Sequence, residues 1–511
     1  MNEQPRPPKK TQKAPLGLRR RHVLVGAGAA AGGLAVTRVL GLHHLGPDFP
    51  TIALPGQATP APKTLDWVSP LDRPEAQVAH LLRRATFGAT AAEYDAAVND
   101  GFKKTVDRLI ETPATEPPAM QAAEDATQEK PLPPVQLQMW WLDWMLRSPT
   151  PFAERMTFFW HGHFTSDFRK VNPQTPFIYW QNLTWRKMAL ANLNEMLYQV
   201  TIDPGMLRYL DLGTSTGRNP NENYSRELME LFTMGVGTFT EEDVRAGAKA
   251  LSGWREPVTK AMYDALVKRA QEQGRPIPRN LKADDVKTGV FEQQRAFVGQ
   301  LSFLGETRQW TTTSVLGKIL KQDSVAPFIA TKVAREFVDQ DPDPAFVTRI
   351  AGNFRNSNYD LKTLMRDVFT SPEFLAPRTY RALVKSPTEL MVHTLKALGL
   401  AQQPLQQQQQ QQLARALAVA GNGMGQALFD PPEVGGWPSN ASWISSNNVL
   451  ERVNFAQATL TGLPTIPAFG KAHLTHLDGV VSPATAQLLN SSPDDATRWL
   501  ILLASPEFQL K

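Results

Sequence analysis

The sequence predicts an all-α protein, a large multi-helix domain with long irregular loops and room for one small β-hairpin near residues 285–310. Three observations carry this. Apolar residues recur at three- and four-residue spacing through most of the chain after residue 70. Helix-starting Asn, Thr, Ser and Asp and helix-stopping Gly and Pro bracket these stretches. Short apolar runs such as Gly289-Val-Phe291 and Phe297-Val298 are set among alternating charges in 255–310, the least periodic part of the chain.

Taken in order, two helices are expected over 75–84 and from about 91 to 110. A Pro- and Glu-rich loop follows over 112–134. A helix over 135–147 carries Trp140, Trp141 and Trp144 and is stopped by Ser148-Pro149-Thr150-Pro151. The next begins at Phe152 and runs into Trp160-His161-Gly162-His163-Phe164. Helices are then expected over 177 to about 197, with 192–198 either its end or a following helix, after Asp203-Pro204-Gly205, over 219–237, and over 241–251 with Thr240 as N-cap. They return over 315–322, 325–340, 344–356 and 361–370. The polyglutamine run 406–412 reads as a solvated helix extension or loop insertion. Residues 421–443 form a turn-rich loop, and a last helix from 447 carries Arg452. Segments 360–374 and 496–508 both end in Ser-Pro-Glu-Phe, a shared way of stopping a helix rather than a solenoid repeat.

The stretch 219–237 is the densest in functional side chains. Asn219 is placed to cap it, with Pro220 at the first helical position and Gly235 and Gly237 closing it. Tyr224, Leu228, Leu231 and Phe232 share one apolar face; Asn223, Glu227 and Glu230 line its flank, with Arg226 just beyond. Glu222–Arg226 and Arg226–Glu230 are four apart, as helical ion pairs are. Two readings stay open. The carboxylates are an ion-pair lattice, or Glu227 and Glu230 are metal ligands or an acid–base pair. His161 and His163 cannot both point inward from an ideal helix, and would converge if Gly162 unwound the last turn.

Composition narrows the chemistry. The 511 residues include no cysteine, so disulfides, thiolate sites, iron–sulfur clusters and cysteine nucleophiles are excluded. A divalent metal would need His and Glu or Asp, and two His with one or two Glu suffice to activate water. Residues 1–46 hold eight basic residues against one acid, a net of +7. The whole chain is +5, which leaves −2 for the remainder and no electrostatic case for nucleic acid.

The basic start, Arg20-Arg21-His22-Val23-Leu24 and the following Ala/Gly-rich run resemble a twin-arginine export signal. No clean small-x-small site follows, so the segment is expected either to be cleaved or to stay as an anchor, with the protein periplasmic or anchored facing the periplasm. Residues 47–70 read as a Pro/Ala-rich linker and 71–511 as a single large helical domain.

His80-Leu-Leu-Arg-Arg-Ala-Thr-Phe-Gly88, Phe159-Trp-His-Gly-His-Phe164, the stretch 219–237, Ala250-Leu-Ser-Gly-Trp254, Lys385-Ser-Pro387 and Gly425-Gln-Ala-Leu-Phe-Asp-Pro-Pro-Glu-Val-Gly-Gly-Trp437 stand in one order along residues 75–508. Together they resemble a bacterial family catalogued as domain of unknown function 1800. The resemblance implies a predominantly helical, commonly exported protein, often encoded beside an exported sulfatase/phosphatase-like family. Arg84, Trp254 and Trp437 stand within these motifs as further candidates, and an arginine such as Arg84 is the partner expected for Glu227 if that carboxylate is structural. The sequence departs from the family's pattern at Ala296, Phe297 and Leu301, where members carry a His-Asp…Lys cluster before the motif seen here as Phe303-Leu304-Gly305.

Two functional classes follow. The first is an exported hydrolase built on His161, His163, Glu227 and Glu230, oriented by Asn223 and Arg226, with a divalent metal or with a carboxylate pair acting on a glycan stacked on tryptophans. The second is a non-catalytic exported scaffold or partner of the sulfatase/phosphatase-like neighbour.

Overall fold

Side-chain capping decides where many of the helices begin. The computed structural model describes residues 67–171, 173–277, 281–403 and 406–511; the expected export signal and most of the expected linker lie outside them. Thr90 with Glu93, Thr240 with Asp243 and Ser386 with Glu389 form reciprocal capping boxes that start Ala91–Asp100, Glu241–Ala250 and Pro387–Ala397. Helices dominate, and one contiguous hydrophobic cluster runs from Leu81 to Phe508. Among the described residues no helix is long and apolar enough to cross a membrane. Among the described residues the strands form two small antiparallel pairs: Trp254–Arg255 with Val290–Phe291, and the hairpin Gln300–Phe303 with Glu306–Gln309.

Several helices differ from their expected bounds for local reasons. The helix expected from 91 to 110 is two, Ala91–Asp100 and Phe102–Glu111, because Gly101 takes φ +77° and reverses the chain. The helix expected from 177 to 197 ends at Met188. Asn192 then caps a second one, Leu193–Ile202. A helix over Lys260–Glu272 lies inside the aperiodic stretch; none of its residues is buried, so it carries no strong apolar stripe to read. The helix from residue 447 is not the last, since Ala472–Leu477, Pro483–Ser491 and Asp495–Ala504 follow. The polyglutamine run opens the helix Gln407–Gly423. In both Ser-Pro-Glu-Phe stops the serine accepts from the phenylalanine N–H, Ser371 from Phe374 at 3.1 Å and Ser505 from Phe508 at 3.2 Å.

The 219–237 stretch begins later than expected. Asn219 exchanges backbone bonds with Thr216, and Asn221 accepts from the Asn223 N–H at 2.9 Å, so the helix starts at Asn223. Asn223–Glu227 is α-helical and Leu228–Thr233 widens to a π-helix. Tyr224, Leu228, Met229 and Phe232 are buried, and Leu231 packs on the same core.

Candidate functional site

The helix Pro151–His163 continues through Gly162, so His161 and His163 face different partners. His161 Nε2 accepts the Phe429 N–H at 3.1 Å, and its ring stands 4.9 Å from the rings of Trp141 and Phe429 and 5.0 Å from Trp437. Burial drives its pKa down to about 3, so the ring is neutral. Phe429 adopts φ +64°, and its carbonyl accepts from the Phe168 N–H at 2.8 Å. A strained turn is thus held at both ends. Seven residues on, Gly436 at φ +93° passes so close to the Gly162 carbonyl that a Cβ there would lie 2.6 Å from the oxygen. His161 and Gly162 together seat the 425–437 loop on the helix end.

His163 lies on the other side. Its Nε2 donates to the Phe232 carbonyl at 3.0 Å, and its Nδ1 accepts from Lys332 Nζ at 3.2 Å. Lys332 also donates to the Leu231 carbonyl at 3.1 Å. Leu231 and Phe232 sit at the C-terminal end of the π-turn, where carbonyls lack helical partners and the helix dipole favours a cation. So the 223–233 helix reaches this place through its last carbonyls. Burial first, then the Lys332 charge, holds His163 well below the usual imidazole range, against the bond to Phe232. Burial lowers Lys332 to about 8, and among the described residues it has no carboxylate partner.

These groups open onto a cleft of about 300 Å³. One wall is the helix Val325–Phe337, with Lys332, Arg335 and Glu336; another is Arg155, Phe159 and Gly162. Trp437 and Trp443 close it from the loop side, and Ser386, Glu389 and Lys511 form its inner end. Arg155 pairs with Glu336 and with Glu389 at 2.9 Å, and Lys511 with Glu389 and with Glu336 at 3.2 Å. Burial alone would raise Glu389, but Lys511 and Arg155 hold it well below the usual carboxylate range. The lattice neutralises two cations with two carboxylates. Lys332 and Arg335 remain, and Arg335 is exposed with no ion pair among the described residues.

The other sequence-predicted residues lie elsewhere. Glu227 and Glu230 do not line the cleft, and neither has a hydrogen-bond or ion-pair partner among the described residues. Burial, and then Glu230, raises the Glu227 pKa against Arg226. Arg226 is taken by Glu241 at 2.7 Å and Glu222 at 3.5 Å, with no ion pair to Glu230. Asn223 donates to Asp211 at 3.0 Å. Arg84 is fully buried and donates to the carbonyls of Thr379 and Phe337, and burial brings it down to about 9. Trp254 is buried and donates to Thr312 at 3.0 Å. Trp437 lines the cleft. Among the described residues no group of three or more His, Asp or Glu stands close enough to hold a metal ion.

The residues that build the cleft's electrostatics were not singled out from sequence: Arg155, Lys332, Arg335, Glu336, Glu389 and Lys511. The available signal was charge inside apolar helices, such as Lys332 and Glu336 one turn apart within 325–337. The stretch at Ala296, Phe297 and Leu301 does not line the cleft. The Phe297 N–H donates to Ser252, the Leu301 carbonyl accepts from Trp310, and Gly217 lies against the Phe297 backbone. The departure from the family pattern therefore leaves the cleft's lining intact.

Fold and site define a helical protein with a cation-rich cleft framed by aromatic residues. The chain belongs to the family described as Protein of unknown function (DUF1800), whose model matches residues 80–510. Comparison with curated proteins and with solved structures returns no match.

Proposed function

We propose that this is an exported protein whose functional site is the Lys332 cleft, and that it takes an anionic substrate there for hydrolysis. The carrying observation is the cation left over at Lys332. Its hydrogen bonds go to a neutral imidazole and a carbonyl, and the nearby carboxylates are already spent on Arg155 and Lys511. An ammonium that titrates near pH 8 supplies both a positive charge for the substrate and a proton for a leaving oxygen. The half-buried Trp437 in the same lining suits a sugar ring, so an acidic glycan is the substrate class favoured. Export is supported by the twin-arginine pair at Arg20-Arg21. The test is turnover of fluorogenic anionic glycosides and esters by the full chain and by Lys332→Met. Turnover that disappears in the variant supports the reading, and anion binding without turnover removes the hydrolytic part of it.

A second reading, a scaffold for an exported sulfatase/phosphatase-like partner, is favoured by the engagement of Arg226 with Glu241, which leaves the 223–233 helix tied into a surface lattice. A pull-down that depends on the Glu241–Arg226 surface, with no effect of Lys332→Met, would support it.

A further inference from the structure

We infer that the cleft recognises a tetrahedral oxyanion carrying two negative charges, as on a phosphomonoester; this rests on the reading of the cleft as an anion site. The buried polar atoms of its lining that have no partner among the described residues are all N–H donors: Nε and Nη1 of Arg155 and Nε1 of Trp437. No acceptor in the lining is left in that state. Natural proteins seldom leave buried donors unmet, and Arg155 leaves two at the cleft where Arg83, Arg84, Arg295 and Arg452 each leave one elsewhere, which fits a ligand that brings acceptors here. Part of Arg155's environment is aromatic, its guanidinium carbon standing 5.6 Å from the Phe158 ring and 5.1 Å from Phe337, yet a ring face does not replace a hydrogen bond.

Lys332 adds a donor. An ammonium has three, and two are used on His163 and Leu231. Arg335, three residues further along the same helix, shares its face and brings an exposed guanidinium without a partner among the described residues. Charge gives the valence. The side chains of Arg155, Lys332, Arg335 and Lys511 face two side-chain carboxylates, Glu336 and Glu389, a side-chain surplus of two positive charges. The donors come from three separate elements, the helices Pro151–His163 and Val325–Phe337 and the loop at Trp437, which fits an anion with acceptors in several directions. A tetrahedral XO₄ group has that shape, whereas a carboxylate presents its acceptors in one plane.

The experiment is calorimetric titration of the full chain at pH 7 with inorganic phosphate, sulfate, glucose 6-phosphate and malonate, a dianion whose acceptors are split between two carboxylate groups rather than set on one tetrahedral centre. Saturable binding of phosphate and glucose 6-phosphate, with malonate at least about tenfold weaker, is the expected result. Lys332→Met and Arg335→Met should each weaken phosphate about tenfold, the worth of one charge-assisted contact. Arg335 is exposed, so its variant folds and keeps the test valid if Lys332→Met does not. Trp437→Phe, which keeps the ring and removes the donor, should weaken phosphate and leave malonate unchanged. Sulfate bound as tightly as phosphate supports a sulfuryl as well as a phosphoryl source, and weaker sulfate supports the phosphoryl alone. Malonate binding as tightly as phosphate overturns the tetrahedral inference while leaving the anion site standing. No binding of any anion overturns both.

Discussion

Lys332 Nζ stands 3.2 Å from Nδ1 of His163, and His163 in turn donates from Nε2 to the Phe232 carbonyl at 3.0 Å. This relay fixes the imidazole as a neutral ring with its proton on Nε2. It also holds a lysine in place without a carboxylate. The cation is therefore available to a ligand rather than consumed by the fold.

The first prediction concerns pH. Ligand attraction needs the charged amine, so affinity for an anion of fixed charge such as sulfate should be level below about 8 and fall as pH rises through it. For stability the sign is opposite. Between about 8 and the ordinary 10.5 the unfolded chain keeps a proton that folded Lys332 has released, so stability rises with pH across that window. Urea unfolding of the parent against Lys332→Met at pH 7.5 and 10 should show this difference.

Replacing His163 should act on both fold and site. His163→Leu leaves the Phe232 carbonyl without its donor and should cost about 1–3 kcal/mol in urea unfolding. It also removes an acceptor that favours the charged amine, so Lys332 should titrate lower still.

The inner lattice should be intolerant where the helix face is tolerant. Glu389→Gln breaks a buried network with Arg155 and Lys511 and should destabilise by about 3–5 kcal/mol. Arg335→Met, exposed and without an ion pair among the described residues, should stay within about 0.5 kcal/mol. Thermal denaturation of the two variants checks the contrast.

Two glycines should behave oppositely. A Cβ at Gly162 meets nothing within 4 Å, and the residue is helical, so Gly162→Ala should be stabilising by up to about 1 kcal/mol. Gly88 has φ +83° and a Cβ there would fall on the His393 ring, so Gly88→Ala should cost at least about 2 kcal/mol. Melting temperatures that moved together would contradict this account of the His161-Gly162-His163 helix end.

What the sequence revealed follows from which interactions are local. The capping box at Thr240, the glycines at 235 and 237 and the hairpin near 300–309 depend on neighbouring residues and were legible. The break at Gly101 and the start at Asn223 were not, because a single positive φ and an Asn side-chain turn override apolar spacing. The site was legible only in part. His163 and Trp437 stood out as chemistry-bearing residues in turn-rich or aromatic surroundings. Lys332, Glu389 and Lys511 are far apart in sequence and meet only in the folded chain. Glu227 and Glu230 look like a site along one helix, yet that helix meets the cleft through its terminal carbonyls instead.

The most direct measurement is the titration of Lys332 itself, followed by NMR of the labelled side chain in the folded full chain, with His163 ring nitrogens observed in the same sample. A midpoint near about 8, beside a His163 that stays neutral with its proton on Nε2, is the predicted result. A Lys332 that titrates at the ordinary 10.5, or a His163 protonated at pH 6, would contradict the central claim that the cleft holds an uncompensated, ligand-directed cation.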